Sequence, residues 1–596
     1  MNRNPLAWLV ARTATAAAAL IVALGTPTFG RQAAQGEAVK LQTVVDEYLA
    51  QRGGGPGGGA LGRSVSPDRN AALSLARARE QAAWADGLLK KVHSVRAEEL
   101  GHDDWLTYSV LEFELGLASQ ADRYFWLTIP ITPYSSPLRS ITTPFEGFQF
   151  RSLDDLDTYI DALHQVPVLM ATYEAKLRSQ MVRGIVVPVE ELRLAIPFLR
   201  TFVGNAPQSR FNVETKRLGS LQAEAVAAFR QRLDDAIRLV VNPSIERLIA
   251  FVDGPYRTRA PPGVGLVQYP EGLAYYNFLI RQHTGLELTA TQIHQIGLDE
   301  VARLNGELDK VRLASGFKGS LGEFRTFLKT DRRFFPKSAD EFGEAMMAAI
   351  RRIEPKIDSF FTKQPKAPYG VKRLDEALEQ SMTYGYYQIP TASEPMGYYR
   401  FNGSQPESRS LLFAPALIYH ELVPGHHFQL GLRRESTTLS PFRRGQMHTA
   451  FTEGWAEYSS DLAGELGMYE GDPYARAGRL AMDLFLSTRL VVDTGINALG
   501  WSRERAMTFM RENTLESDVQ IDTESLRYSS DMPGQALAYK LGAMKIHELR
   551  RQVRQTQGAS FDIRRFHDHL LDHGSMPLGV LEQHVACYLR EQHKGR

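Results

Sequence analysis

From Asn70 onward the apolar positions of this chain recur at helical spacing. Ala72-Leu73, Leu75-Ala76 and Ala83-Trp84 fall on one stripe of a 3.6-residue period. Long segments of the same kind run from Leu153 to Met181, Leu218 to Val252 and Asp340 to Ile353. Strand patterning is sparse. Its one notable instance is Tyr398-Tyr399-Arg400-Phe401-Asn402, aromatic and polar in near alternation between Gly397 and Gly403. Pro261-Pro262-Gly263 and Pro365 to Pro368 divide the chain into lobes without a clear linker, and no internal repeat is present. The expected fold is mainly α, with a small sheet shortly before the segment described next.

The N-terminus breaks this pattern. Arg3 followed by an Ala-rich apolar core, Thr13 to Leu24, reads as an export signal over about residues 1–30. Arg12 interrupts the stretch, which is too short for a stable membrane span. No cysteine lies nearby to accept a lipid. The run Gly53 to Gly59 lacks the Lys-Ser or Lys-Thr ending of a phosphate loop, so residues 31–66 are expected to be a flexible Gly-rich leader. Residues 67–596 then form one helical domain with its active site within 390–580. A formal net charge of +1 gives no electrostatic footprint for nucleic acid. The single cysteine, Cys587, excludes an intramolecular disulfide and suits a packing role.

Chemistry concentrates in Tyr419-His420-Glu421-Leu422-Val423-Pro424-Gly425-His426-His427. Neutral imidazoles hold Zn²⁺, and an adjacent Glu can act as general base toward a water activated there. The usual spacing is H-E-x-x-H, which sets both His one turn apart on a helix face. Here the fourth residue after His420 is Pro424. On a regular helix His427 would lie roughly 10 Å along the axis from His420, too far to share one ion. Pro424 lacks an N–H and Gly425 tolerates unusual dihedrals, so Pro-Gly reads as a two-residue bulge or kink in one helix. Discounting those two residues puts His426 one turn from His420. His426 is the preferred second ligand and His427 the alternative.

A third ligand is offered by Phe451-Thr452-Glu453-Gly454-Trp455-Ala456-Glu457-Tyr458. Glu453 and Glu457 are one helical turn apart, and either could face the metal. Gly454 allows close helix approach, which favours Glu453. His420, His426 and Glu453 would leave a fourth position open for water.

The segments His-Glu-x-x-Pro-Gly-His-His, Glu-Gly-Trp-Ala-x-Tyr and Pro533-Gly534-Gln535-Ala536-Leu537-Ala538-Tyr539-Lys540 together resemble domain-of-unknown-function family 885. That family is similar to zincin metallopeptidases with a glutamate third ligand. Glu453-Gly454-Trp455-Ala456 also resembles the Glu-Gly-Phe-Ala segment of the leukotriene-hydrolase and alanyl-aminopeptidase group. The resemblance runs from about Leu41 to the C-terminus and implies a large helical zincin-like zinc peptidase. It also implies that Tyr398 to Asn402 is an edge strand pairing with an extended peptide, with Tyr398, Tyr399 and Asn402 at the substrate; a short structural hairpin is the alternative reading of the same residues. Ser404-Gln405-Pro406 replaces the family's Arg-Pro-Gly after this strand. Phe566-His567-Asp568 matches another family segment, so His567 is structural or lines the cleft.

Negative charge developing on an attacked carbonyl needs a donor beside the metal. Tyr539 is the first choice and Tyr528 the second, with Arg527 and Gln535 as substrate contacts. A free amine would need a carboxylate such as Glu457, and a terminal carboxylate an Arg such as Arg527. His567, His569 and His573 alternate with Asp568 and Asp572, which fits a solvated helix better than a second metal site. The expected function is an exported, periplasmic or secreted, zinc peptidase acting on short peptides. Two alternatives stay open: a module binding peptides or cell-wall components, and a zinc amidase or esterase.

Overall fold

The structure of the chain, a computed structural model, describes residues 27–52, 72–219, 221–379, 385–391 and 394–594. The fold is mainly helical with one small sheet. The helices that build or brace the site are α1 (Pro27–Arg52), α2 (His102–Ala118), α3 (Leu153–Val182), α4 (Ala339–Ile353), α5 (Ala414–Glu421) and α6 (His426–Glu435). They continue with α7 (Thr449–Glu465), α8 (Pro473–Asn497), α9 (Asp518–Leu526), α10 (Leu537–Gln557), α11 (Ile563–Leu571) and α12 (Leu578–Lys594). Among the described residues, no helix is long and apolar enough to cross a membrane.

Local chemistry explains the starts of these helices. The Asp155 carboxylate accepts the backbone N–H groups of Arg151 and Ser152 (2.8 and 2.7 Å) at the start of α3. The Ser338 hydroxyl accepts the N–H of Glu341 at α4, and Asp472 accepts those of Tyr474 and Ala475 ahead of Pro473 at α8. Each such bond satisfies a donor that the first helical turn leaves unpaired.

One core forms around Phe145, Tyr159, Phe211 and Phe229, drawn from residues 131 to 256 together with Leu73. The largest core joins α1, α2, α4, the sheet, α5 to α7 and the C-terminal helices. This corrects the flexible leader over residues 31–52. That segment is α1, with Leu41, Val44, Val45 and Tyr48 buried in the largest core and the Glu37 carboxylate accepting the Arg96 backbone N–H at 2.9 Å. The proposed export signal falls mostly on residues 1–26 and the Gly53–Gly59 run on residues 53–59, both outside the described residues.

The sheet has the order β1-β3-β2, with β1 (Tyr369–Arg373), β2 (Gly385–Gln388) and β3 (Gly397–Phe401). β3 is parallel to β1 and antiparallel to β2. The strand expected at Tyr398 to Asn402 therefore exists but is central, not an edge. Both of its sides are occupied, so it has no free backbone row for an added peptide. Its alternation sends Gly397, Tyr399 and Phe401 inward, and Tyr398 and Arg400 outward.

Candidate metal centre

The sequence between His420 and His426 does not make a bulge in one helix. It ends α5 at Glu421 and starts α6 at His426, with a turn between them containing a cis Val423–Pro424 peptide. Pro424 cannot donate to the preceding turn, and its carbonyl turns toward α7. There it accepts from Trp455 Nε1 at 3.0 Å and Ser459 Oγ at 3.2 Å. Gly425 is packed so tightly against the His420 carbonyl that a Cβ would stand 1.7 Å from that oxygen. The turn reverses the chain sharply enough to put the His420 and His426 rings 4.8 Å apart, edge to face.

α7 supplies the carboxylate. Glu453 Oε2 lies 3.6 Å from His420 Nε2 and 3.3 Å from His426 Nε2. One ligand atom from each of His420, His426 and Glu453 falls within 4.8 Å of the others. Tetrahedral zinc with bonds of about 2.0–2.1 Å needs donor separations of about 3.3–3.4 Å, close to the two observed. Direct N–H···O bonds would be nearer 2.9 Å. His420 and His426 are buried, and the Glu453 side chain is 20% exposed, so one flank of the group remains reachable. Burial would raise the Glu453 carboxyl, but His426 and His420 hold it well below the usual carboxylate range. For His420 burial disfavours the imidazolium, and Glu453 and Glu457 outweigh it to hold the ring at about 10. Glu421 is pushed up by burial against the opposing pull of His426 and His420.

His427 points elsewhere. Its Nε2 donates to the Ala367 carbonyl at 3.0 Å, and its Nδ1 accepts from the Tyr387 hydroxyl of β2 at 2.9 Å. Glu457 is also not beside the open flank. It is fully buried with Oε1 2.8 Å from Arg479 Nη2 and Oε2 3.6 Å from His420 Nδ1, on the ring edge away from Glu453. It flanks His420 without a direct hydrogen bond and is too buried to meet a substrate amine. A carboxylate behind a ligating imidazole is the usual supporting arrangement at metal sites. Sequence reasoning named Glu457 but missed Arg479, which holds it.

The tyrosines separate cleanly. The Tyr539 ring lies parallel to His420 with centroids 6.3 Å apart, and its hydroxyl accepts from Gln535 Nε2 at 3.5 Å. Tyr528 is fully buried: its hydroxyl accepts from Arg489 Nε at 2.8 Å and donates to Glu524. That removes Tyr528 from the catalytic candidates. Arg527 is largely buried and spans Glu524 (3.2 Å) and Gln535 (2.8 Å), forming a relay of contacts from Glu524 to Tyr539. Tyr399 and Asn402 are 1% exposed, so neither is presented to a substrate. Tyr399 packs in the largest core, and Asn402 donates to the Glu379 carbonyl at 2.7 Å. Of the three residues expected at the substrate, Tyr398 faces outward, beside Lys372 and Arg400.

His567 is fully buried, with Nδ1 donating to the Phe360 carbonyl and Nε2 accepting from Tyr458, both at 2.8 Å. The segment bearing His567, His569 and His573 is therefore not a solvated helix. Cys587 is a free, half-buried cysteine on α12.

The chain resembles a putative lipoprotein from Colwellia psychrerythraea of known crystal structure, at 28% identity and a TM-score of 0.80, over 94% of this chain and 100% of that one. It shares a fold with a putative lipoprotein of unknown function from Shewanella oneidensis, at 19% identity and a TM-score of 0.68, over 92% and 99% of the two chains. No curated protein matches it. Residues 58–585, which include every member of the His–His–Glu group, match the family described as bacterial protein of unknown function DUF885, and the chain belongs to that family.

Proposed function

We propose that this protein is an exported zinc-dependent peptidase of zincin type, cleaving bonds in short peptides. The observation that carries the reading is the convergence of His420 Nε2, His426 Nε2 and Glu453 Oε2 at separations suited to one tetrahedral ion. A Zn²⁺ held by these three residues would supply Lewis acidity, polarising water and the scissile carbonyl.

The chain's own residues then divide the work. Glu421, next to His420 in sequence and raised by burial, would accept a proton from the attacking water and deliver it to the leaving amine. Glu457, paired with Arg479, would steady His420 from behind. The Tyr539 hydroxyl, steadied by Gln535 and through it by Arg527, would donate to the oxygen that gains charge. Burial of both imidazoles limits access to extended chains, which favours peptides over folded proteins. The apolar stretch Thr13 to Leu24 supports export, as does the description of the Colwellia protein as a putative lipoprotein.

The test is to incubate the zinc-loaded full chain and its Glu421→Gln variant with a mixed peptide library and read products by mass spectrometry. Cleavage by the native chain, falling about 10²–10⁴-fold in the variant with zinc retained, is the expected result. Equal cleavage by both would overturn the mechanism. Zinc binding without any product would favour the binding module, and cleavage confined to amide or ester probes the other alternative.

A further inference from the structure

A second group of imidazoles lies where the N-terminal helices meet the C-terminal ones. His102 is the first residue of α2, His573 follows α11 and His584 lies on α12. One ring nitrogen from each falls within 4.8 Å of the other two. This group shares no residue with the centre at His420.

Two features set it apart from ordinary histidine packing. The first is how its rings are oriented. The carbonyl oxygen of His569 accepts from both His573 Nδ1 (3.0 Å) and His584 Nε2 (3.1 Å). Each ring is thereby fixed in the tautomer that carries its hydrogen on the bonded nitrogen, leaving His573 Nε2 and His584 Nδ1 with lone pairs. Metal-binding imidazoles are oriented by such backbone acceptors. The second is what those lone pairs meet. His584 Nδ1 accepts from His102 Nε2 at 2.7 Å, so a third imidazole nitrogen meets the same point and becomes a ligand once its hydrogen shifts to Nδ1. The nearby carboxylate is Asp103, whose Oδ1 is 3.6 Å from His573 Nε2 and whose side chain is 88% exposed.

We propose that His102, His573 and His584 form a second divalent-metal site, structural in role, which ties the start of α2 to α11 and α12. Three imidazoles without thiolate suit Zn²⁺ and its borderline neighbours Ni²⁺ and Cu²⁺, and not Ca²⁺ or Mg²⁺. Asp103 or a water completes four-coordination. Tetrahedral binding needs nitrogen separations of about 3.3–3.4 Å, so the His102–His584 hydrogen bond opens by about 0.6 Å when the ion enters. His102 begins its helix and is half-buried, so this shift is confined to a helix end. The ion would bridge residues 482 apart in sequence, closing one end of the chain against the other.

The experiment measures zinc stoichiometry by equilibrium dialysis of chelator-stripped full chain against Zn²⁺. It compares the native protein with His573→Ala, His102→Ala, His420→Ala and the His420→Ala/His573→Ala pair, each checked for folding by circular dichroism. His573 is 24% exposed in its side chain, so its loss should leave the core intact. The expected result is two equivalents for the native chain, one for each single variant and none for the pair. Zinc should also raise the melting temperature of His420→Ala and leave that of the pair unchanged. One equivalent that survives His573→Ala and His102→Ala but not His420→Ala would overturn this site and leave the peptidase reading standing. One equivalent with the opposite dependence would keep this site and overturn that reading. Zinc that no substitution removes would overturn both.

Discussion

Gly454 of α7 and Gly542 of α10 meet at the crossing of their helices, where a Cβ on Gly454 would stand 2.4 Å from Gly542 Cα. A Cβ on Gly542 would in turn stand 2.0 Å from the Ala450 carbonyl oxygen. This contact sets the distance between the helix that carries Glu453 and the helix that carries Tyr539. Gly454→Ala should therefore push the two apart. Overpacking of this kind costs typically 1–3 kcal/mol, and here the obstructing atoms are backbone that cannot rotate away. The expected outcome is a lower melting temperature together with weaker zinc retention, because Glu453 adjoins the displaced residue. Unaltered melting and zinc content in Gly454→Ala would show that the crossing is free to widen.

Glu457 and Arg479 are a buried pair behind His420. Glu457→Gln keeps the shape but removes the charge that faces both groups. Loss of such a supporting carboxylate typically weakens metal affinity 10–100-fold. It also takes the nearest carboxylate from buried Arg479, leaving Asp461 at 3.8 Å, and breaking a buried pair costs up to about 3–5 kcal/mol. Competition with a zinc chelator reads the first effect and denaturant unfolding the second. If affinity is unchanged while stability falls, Glu457 serves Arg479 alone.

Much of the helical architecture was legible because long amphipathic segments carry their own period: Leu153 to Met181 predicts α3 almost to its ends. The order of the sheet was not, since nothing in the alternation of Tyr398 to Asn402 says whether one partner strand or two lie beside it. The leader was misjudged for a related reason. Composition around Gly53 to Gly59 suggested flexibility, whereas α1 is held by Arg96 and by a core far along the chain. At the candidate metal centre the short motifs named His420, His426 and Glu453, whose ligand atoms the fold brings within 4.8 Å of one another. Arg479 and the set His102, His573 and His584 carry no local signal, because only the tertiary fold brings them together.

Tyr539 and Tyr528 should respond differently to loss of the hydroxyl. Tyr539→Phe removes a donor beside His420 and should lower kcat about 10²–10³-fold, as loss of one oxyanion donor does, with zinc content held. Tyr528→Phe leaves Arg489 and Glu524 without a shared partner and should reduce stability by about 1–3 kcal/mol. Steady-state kinetics on any peptide found to be cleaved, beside unfolding curves, separates the two. A large kcat loss in Tyr528→Phe at unchanged stability would return that residue to the catalytic candidates.

The Glu524 network gives a pH dependence of stability. Burial would raise the Glu524 carboxyl, but Arg489 at 2.9 Å and Arg527 at 3.2 Å draw it down from 4.5 to about 2. A carboxyl depressed in the folded chain contributes stability that is fully present above its unfolded value. That contribution is lost as pH falls through the folded value, here between about pH 4.5 and 2. A shift of this size corresponds to something on the order of 3 kcal/mol. Glu524→Gln should be less stable near neutrality, with two arginines left uncompensated, and should show a flatter decline between pH 4.5 and 2. Denaturant midpoints taken across that range would give parallel slopes if Glu524 does not titrate there.

His426 and His427 are adjacent in sequence and differently committed in the structure. His426 Nε2 faces Glu453 at 3.3 Å, whereas both nitrogens of His427 are committed, one to the Ala367 carbonyl and one to Tyr387 of β2. Three protein ligands are the minimum of a catalytic zinc site, so His426→Ala should lose the zinc that depends on His420. His427→Ala should retain it. What His427→Ala removes is the clasp between α6 and the sheet: a buried ring, a carbonyl acceptor and a tyrosine hydroxyl left without its partner. Its expected effect is a stability loss of about 1–3 kcal/mol, with zinc stoichiometry equal to the native chain. Metal analysis and unfolding of the two variants side by side decide the matter. Loss of zinc in His427→Ala with retention in His426→Ala would mean that the turn at Pro424 rearranges on metal binding, exchanging one imidazole for the other.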